Sequence, residues 1–181
     1  SASINFQGTQ NVNNATINLG SATTNASLTN EGAGNTLTLQ SGVIVQGSGT
    51  IGNQVLAGGN SSLTNQGTIS ASNSGRTLTI SGNGVNNLTN LSGTTLTGGS
   101  WKALTGATLS IESTVGNGGS IVTNAADITL SGAGSVLRVR NPVGGALTSL
   151  ETSLTSNTAA GALRILGGRT FTTAGAFSNA G

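Results

Sequence analysis

A short alternating phrase of apolar and polar residues recurs along the chain and constrains its fold more than any other feature. The phrase is Thr-Leu-Thr-Leu at residues 36–39, Thr-Leu-Thr-Ile at 77–80 and Thr-Leu-Ser-Ile at 108–111. A second phrase, Leu-Thr-Asn or Phe-Ser-Asn, occurs at residues 28–30, 63–65, 88–90 and 177–179. Alternation with a period of two residues indicates β-strands that bury one face and expose the other.

The spacing of the copies and the turns between them favour stacked coils over hairpins. Copies of the first phrase begin 41 and then 31 residues apart, near one or two turns of a unit of about 20 residues. Asn-Gly pairs, which are typical of tight hairpins, occur only at residues 83–84 and 117–118. The sequence therefore predicts an all-β chain, a parallel β-helix with about 20 residues per coil and about nine coils. A β-sandwich of short strands is the alternative.

A narrow solenoid interior accounts for the unusual composition. Only 6% of the residues are charged and 2% are aromatic, whereas glycine, asparagine, serine and threonine are abundant. Small apolar side chains fill such an interior, and glycine or asparagine provides the positive φ angles that corners require. Asparagines at equivalent corners can also stack as ladders of side-chain amides. The predicted corner or ladder residues are Asn30, Asn65, Asn90 and Asn179.

The chain lacks most of the side chains that catalysis uses. It has no histidine, cysteine or tyrosine, so a serine has no histidine to activate it. The four carboxylates are Glu31, Glu112, Asp127 and Glu151, and nothing in the sequence forces two of them together. We therefore expect no enzyme activity, no metal and no cofactor.

Charge and hydropathy also argue against nucleic-acid binding and membrane insertion. The net charge is only +2, and the six scattered cations do not supply the clustered basic face with stacking aromatic residues that a polyanion site needs. No apolar run approaches the 18 or so residues that a transmembrane helix needs.

Three residues are candidates for contact with a partner. Trp101, the single tryptophan, either packs in the interior or offers an exposed face on which a sugar could stack. Arg138 and Arg140 lie on one side of a predicted strand, where they form either a solvated face or a partner contact.

The two ends of the chain predict an end-to-end interface. The chain starts in the alternating pattern and stops within the Phe-Ser-Asn phrase, with no recognisable capping unit. We expect either a segment of a longer fibre or a subunit that stacks head-to-tail on its copies. The apolar residues predicted to take part are Ile4, Phe6, Phe171 and Phe177.

Three phrases resemble the passenger repeats of secreted bacterial autotransporters and filamentous-haemagglutinin-like adhesins. They are LTNQGTISA…GRTLTISG, LTGGSWKALTGATLSI and LRILGGRTFTTAGAFSNAG, and the similarity covers most of residues 28–181. It lies in composition and phrasing, so no site residues carry over. The resemblance implies a right-handed parallel β-helix, export, and a role in adhesion or extracellular fibres. The chain shows neither a leader nor a translocator barrel, which leaves the export route open.

The expected function is therefore that of a single structural β-solenoid over residues 1–181, located outside the cell or on its surface. Its expected partners are copies of itself or neighbouring solenoid repeats, with host or matrix glycans as a further candidate. One alternative is a carbohydrate-binding or carbohydrate-cleaving β-helix. A second is an ice-binding solenoid that uses the Thr-x-Thr pairs at residues 36–38, 77–79 and 95–97.

Overall fold

The computed structural model describes residues 2–52, 54 and 56–181. The strands of the first half are β1 (Ala2–Gln7), β2 (Gln10–Val12), β3 (Thr16–Leu19), β4 (Ala26–Glu31), β5 (Thr36–Leu39), β6 (Ile44–Gly47), β7 (Gly49–Ile51), β8 (Ser61–Asn65), β9 (Thr68–Ala71) and β10 (Thr77–Ile80). The elements of the second half are β11 (Val85–Leu88), β12 (Leu91–Ser92), β13 (Thr95–Leu104), β14 (Thr108–Ile111), β15 (Thr123–Ser131), β16 (Val136–Arg140), β17 (Leu147–Ser149), α1 (Leu150–Ser153), β18 (Ser156–Asn157), β19 (Ala162–Leu166) and β20 (Ser178–Asn179).

The strands form three sheets that run along one axis. The first sheet has the order β1-β4-β7-β10-β14-β16-β17, the second β11-β8-β5-β2, and the third β20-β18-β15-β13-β9-β6-β3, with β19 also paired to β15. Among the described strands, every pairing is parallel except β12 with β13 and β16 with β17. Each strand thus pairs with its equivalent one turn later, and the fold is an all-β parallel β-solenoid.

The turns are longer and fewer than the sequence predicts. Ala2 pairs with Ala26, and Ala26 pairs with Gly49, so these three positions are equivalent points on successive turns. Gly49 pairs with Leu78, which makes the next turn longer than the first two. The first sheet continues in the same way through β14 to β16, which makes five turns from β1 onward.

The predicted coil length of about 20 residues is therefore too short, and the predicted number of coils, about nine, is wrong. The first phrase at residues 77–80 and its copy at 108–111 lie on β10 and β14, which are adjacent turns. The interval between these two copies is a single turn with long corners, and not one or two turns of about 20 residues as the spacing predicts. The copy at 36–39 forms β5 in the second sheet and is not equivalent to the other two.

The interior is built from apolar residues in register along the axis. In the first sheet, one column contains Leu28, Ile51, Ile80 and Ile111, each at most 1% exposed. Burial of each such side chain contributes about 1.5–3 kcal/mol relative to exposure. The alternation of the sequence therefore places one apolar row per strand in a continuous core.

The third turn enters the first sheet at β7, beside two positions that only glycine can occupy. Gly47 and Gly49 have φ angles of +122° and +126°, outside the range that other residues favour. A Cβ on Gly47 would collide with the carbonyl oxygen of Leu19, and one on Gly49 with that of Ala26. Ser48 between them is fully buried.

The parallel pattern of the first sheet ends at β17. This strand pairs antiparallel with β16 and leads into α1, a single helical turn. Leu150 and Leu154 are 1% and 2% exposed, so the segment places apolar side chains in the core beyond the last parallel strand. No helix in the part of the chain that the structure describes is long and apolar enough to cross a lipid bilayer.

Candidate functional site

A ladder of asparagine side chains joins three turns of the third sheet. The Asn124 amide nitrogen donates to the Asn157 side-chain oxygen at 2.7 Å, and the Asn157 nitrogen donates to that of Asn179 at 2.7 Å. The three residues pair in register, and Asn124 and Asn157 are at most 2% exposed. The buried side-chain amides of Asn124 and Asn157 thus have hydrogen-bond partners on neighbouring turns, so the ladder stabilises the stacking of the turns.

Asn179 is thus a ladder residue, but sequence analysis missed its two partners. Asn124 and Asn157 do not belong to a Leu-Thr-Asn or Phe-Ser-Asn phrase, which is the sequence pattern that predicts the ladder residues. The three ladder asparagines do share a weaker sequence pattern. A residue with a hydroxyl group precedes each of them, in Thr123-Asn124, Ser156-Asn157 and Ser178-Asn179.

Asn65 and Asn90 form a different inter-turn contact. The Asn90 side chain accepts from the Asn65 backbone N–H at 2.7 Å and donates to the Asn65 carbonyl at 2.9 Å. The same amide also donates to the Thr97 carbonyl at 2.7 Å. The Asn90 side chain therefore makes the two hydrogen bonds with the Asn65 backbone that a neighbouring strand would otherwise make at the end of β8.

Asn30 belongs to neither of these groups. It lies in β4 of the first sheet, and its amide donates to the carbonyls of Asn35 and Ser62 at 3.2 and 3.3 Å. The four asparagines predicted from one phrase therefore occupy three different environments. All four lie near strand ends, but they do not form a single column.

Trp101 lies inside the solenoid, which contradicts the predicted surface contact. It is 0% exposed and pairs in register with Ile69 and Ile128 of the third sheet. Its indole nitrogen donates to the Gly98 carbonyl at 2.8 Å. The ring face is covered by protein, so no ligand can stack on it, and the interior packing expected as the first of the two possibilities is confirmed.

Three of the four carboxylates form ion pairs with arginines. Glu112 pairs with Arg140 at 2.7 Å between the guanidinium Nε and the carboxylate. The other two pairs are Asp127 with Arg164 and Glu151 with Arg169. The first two pairs link neighbouring turns, because Arg140 lies in β16 beside β14 and Arg164 lies in β19 beside β15.

The fourth carboxylate, Glu31, is buried at the end of β4. It is 1% exposed, and one oxygen accepts from the backbone N–H groups of Leu56 and Ala57 at 3.2 and 3.0 Å. The carboxylate therefore anchors the loop that follows β7. Among the described residues, no three acidic side chains lie close enough to hold a metal ion.

The pKa of Glu112 lies below its ordinary value of 4.5. Partial burial of the carboxyl raises its pKa, but hydrogen bonds from Arg140 and Ser110 and the charges of Arg140 and Arg138 lower it by more. Conversely, the hydrogen bond and charge of Glu112 raise the pKa of Arg140 above its ordinary value. The pair is therefore charged at neutral pH and stabilises the contact between β14 and β16.

Arg138 and Arg140 both contact the first sheet itself. Arg138 donates to the Ser110 hydroxyl at 3.2 Å, one turn below. Arg140 also donates to the Gly145 carbonyl at 2.9 Å, although 41% of its side chain is exposed. Both guanidiniums thus serve inter-turn contacts, and a role in binding a partner stays a prediction.

The four apolar residues predicted at the ends lie at opposite ends of the coil. Ile4 and Phe6 are on β1; Ile4 is 42% exposed and Phe6 packs partly on the core. Phe171 also packs partly on the core, and Phe177 is 37% exposed. Their part in end-to-end contacts stays a prediction.

The three Thr-x-Thr pairs lie on three different faces. Residues 36–38 are on β5 of the second sheet, 77–79 on β10 of the first, and 95–97 on β13 of the third. These pairs therefore do not form the single repeating face that ice binding would need.

Comparisons of the chain with known proteins identify no relative. No protein-family model matches the chain, and no curated protein or solved structure matches it either.

Proposed function

We propose that this protein is an extracellular structural solenoid that serves as a stalk segment in a bacterial surface adhesin or fibre. The observation that carries the proposal is the continuous register of the first sheet over five turns. Backbone hydrogen bonds between turns repeat about every 4.8 Å along such an axis and give a stiff rod. The side-chain contacts described above also run mainly between turns.

The pairing of the charged side chains supports a role in shape rather than in chemistry. Most of the side chains that could react are committed to inter-turn contacts, as Glu112 is to Arg140 and Asp127 is to Arg164. A right-handed coil is part of the proposal, because crossovers between parallel strands of one sheet are almost always right-handed. The phrase-level resemblance to passenger repeats supports export.

A stalk is favoured over a subunit that stacks head-to-tail. Head-to-tail growth would place a parallel strand of the next copy against β16, but β17 occupies that edge in the antiparallel direction. The buried Leu150 and Leu154 also cover the core at this end of the first sheet. A copy stacking there would have to displace the segment from β17 through α1.

Two measurements on the native material test this function. Protease treatment of intact source cells is expected to cleave or release the protein, and electron microscopy is expected to show thin rods. Protection from protease until the cells are permeabilised would contradict the surface location. Sedimentation at rising concentration tests the stalk, which predicts no growth into filaments; concentration-dependent fibres would instead support the stacking subunit.

A further inference from the structure

A polar cleft of about 330 Å³ opens on the outer face of the first sheet, across β4, β7 and β10. Its lining includes Asn25, Thr50, Arg76, Thr77 and Thr79. The cleft lies on a face that the structural role of the solenoid does not use.

The cleft exists because one turn contributes no outward side chain at this point. Ser48 precedes β7, but it is fully buried and donates to the Ser21 carbonyl at 3.2 Å. Gly47 and Gly49 on either side of it hold the backbone at positive φ and cannot carry a side chain. The outer face of the third turn, at β7, is therefore recessed between the turns above and below.

Arg76 spans this recess with a positive charge that no carboxylate neutralises. Its guanidinium donates to the Asn25 side-chain oxygen at 2.6 Å, a neutral partner. In the described part of the chain, no carboxylate lies within ion-pair distance of Arg76, whereas Arg140, Arg164 and Arg169 each have one. A guanidinium has five N–H donors, so donors remain for a planar carboxylate.

Hydroxyl groups surround the charge. Thr50 and Thr79 pair in register, so they lie about 4.8 Å apart on adjacent turns, and Thr77 lies two residues before Thr79. Among the described residues, none of these three hydroxyls has a hydrogen-bond partner. The lining therefore offers one cation and several free hydroxyls, with neither a carboxylate nor an aromatic ring.

We propose that this cleft binds a carboxylated sugar, a hexuronate unit, with its carboxylate on Arg76 and its ring hydroxyls on Thr50 and Thr79. The volume is at the lower end of the range of about 300–1,000 Å³ that small-molecule sites occupy, which suits one sugar ring. A neighbouring cleft shares Asn25 and offers space for an attached sugar; it is lined by Ala2, Asn18, Gly20, Thr24, Asn25 and Ala26. This binding goes beyond the proposed structural function and does not depend on it.

Calorimetric titration of the whole chain with trigalacturonate at low salt tests the proposal. We expect saturable binding that Arg76→Gln weakens by about tenfold or more, because a charge-assisted hydrogen bond contributes about 1.5–3 kcal/mol. Arg138→Gln is the matched control, since it removes a guanidinium from the same sheet outside the cleft, and it should leave the affinity unchanged. Thermal unfolding of each variant checks that it folds.

The methyl ester of the same trisaccharide and inorganic sulfate separate the possible causes. Loss of binding on esterification supports the role of the carboxylate, even if Arg76→Gln fails to fold. Weaker uronate binding in Thr79→Val, with sulfate binding unchanged, supports the hydroxyl contacts. Equal binding of ester and acid, equal effects of both arginine variants, sulfate binding as tight as that of the uronate, or no binding of trigalacturonate would each overturn the proposal.

Discussion

The side-chain amide of Asn157 donates to the side-chain oxygen of Asn179 at 2.7 Å, one turn of the solenoid further on. Asn157 is also the acceptor for Asn124 on the turn before, so it is the middle member of a three-residue ladder. Every hydrogen bond of the ladder joins one turn to the next, as the backbone hydrogen bonds of the sheets also do.

Substitution of Asn157, the middle residue of the ladder, tests how much the ladder stabilises the fold. Asn157→Ala removes three side-chain hydrogen bonds, which join Asn157 to Asn124, Gly161 and Asn179, so we expect a loss of about 1–3 kcal/mol in the free energy of unfolding. Urea denaturation measures it as a lower midpoint with an unchanged slope. Asn13→Ala, at an exposed position, is the control and should change stability by less than about 0.5 kcal/mol. Equal effects of the two substitutions would show that the ladder contributes nothing.

Acid should weaken the contact between β14 and β16. The folded pKa of Glu112 is lowered, so its contribution to stability is full above the ordinary pKa of 4.5 and is lost as the pH falls through the folded value. Glu112→Gln should therefore lower the urea midpoint at pH 7 and have a smaller effect near pH 3. We expect the change at pH 7 to be about 1 kcal/mol or less, because the ion pair is partly exposed. A difference between wild type and variant that grows on acidification would contradict this account.

The single tryptophan reports on the interior. Because Trp101 is fully buried, we expect blue-shifted fluorescence and weak quenching by acrylamide in the folded protein. Trp101→Ala should cost about 3–5 kcal/mol, the usual range for an aromatic residue lost from a core. Trp101→Phe, which keeps an aromatic ring but loses the bond to Gly98, should cost less. Emission typical of an exposed indole would place Trp101 on the surface instead.

Substitutions at two glycines with positive φ allow the cost of backbone strain to be measured separately from the cost of a steric collision. Gly168 has a φ of +75° and open space at its Cβ position, so Gly168→Ala should cost about 1–2 kcal/mol through the left-handed conformation. Gly49→Ala adds a collision with the Ala26 carbonyl and should destabilise the protein more, as thermal unfolding of the two variants would measure. Equal losses would show that the third turn relaxes to admit a side chain at Gly49.

The sequence was sufficient for the class of fold because the alternating phrases coincide with real strands. Residues 36–39, 77–80 and 108–111 are strands β5, β10 and β14. The number of turns was not predictable, because equivalent strands of the first sheet include β7, Gly49–Ile51, which lacks the phrase. Without that strand, the spacing of the visible copies does not give the length of a turn.

Side-chain partners were harder to predict than strands. An asparagine beside a strand can bond to another asparagine, as Asn179 does, or to backbone groups, as Asn90 does, and the choice depends on which turn lies above it. Similarly, Arg140 pairs with Glu112 on the previous turn, and the sequence distance between them is set by corner lengths that composition does not reveal. The cleft at Arg76 depends on the burial of Ser48, which the sequence does not indicate.

The pairing of turns is tested most directly by disulfide formation between engineered cysteines in this cysteine-free chain. Thr38 and Thr64 pair in register on β5 and β8, and adjacent strands lie about 4.8 Å apart, inside the roughly 4.4–6.8 Å between Cα atoms that a disulfide usually spans. Under mild oxidation, Thr38→Cys with Thr64→Cys should form an intramolecular disulfide in nearly all molecules. Thr38→Cys with Thr89→Cys, two turns apart, should remain reduced. Cross-linking of the second pair but not the first would contradict the parallel solenoid.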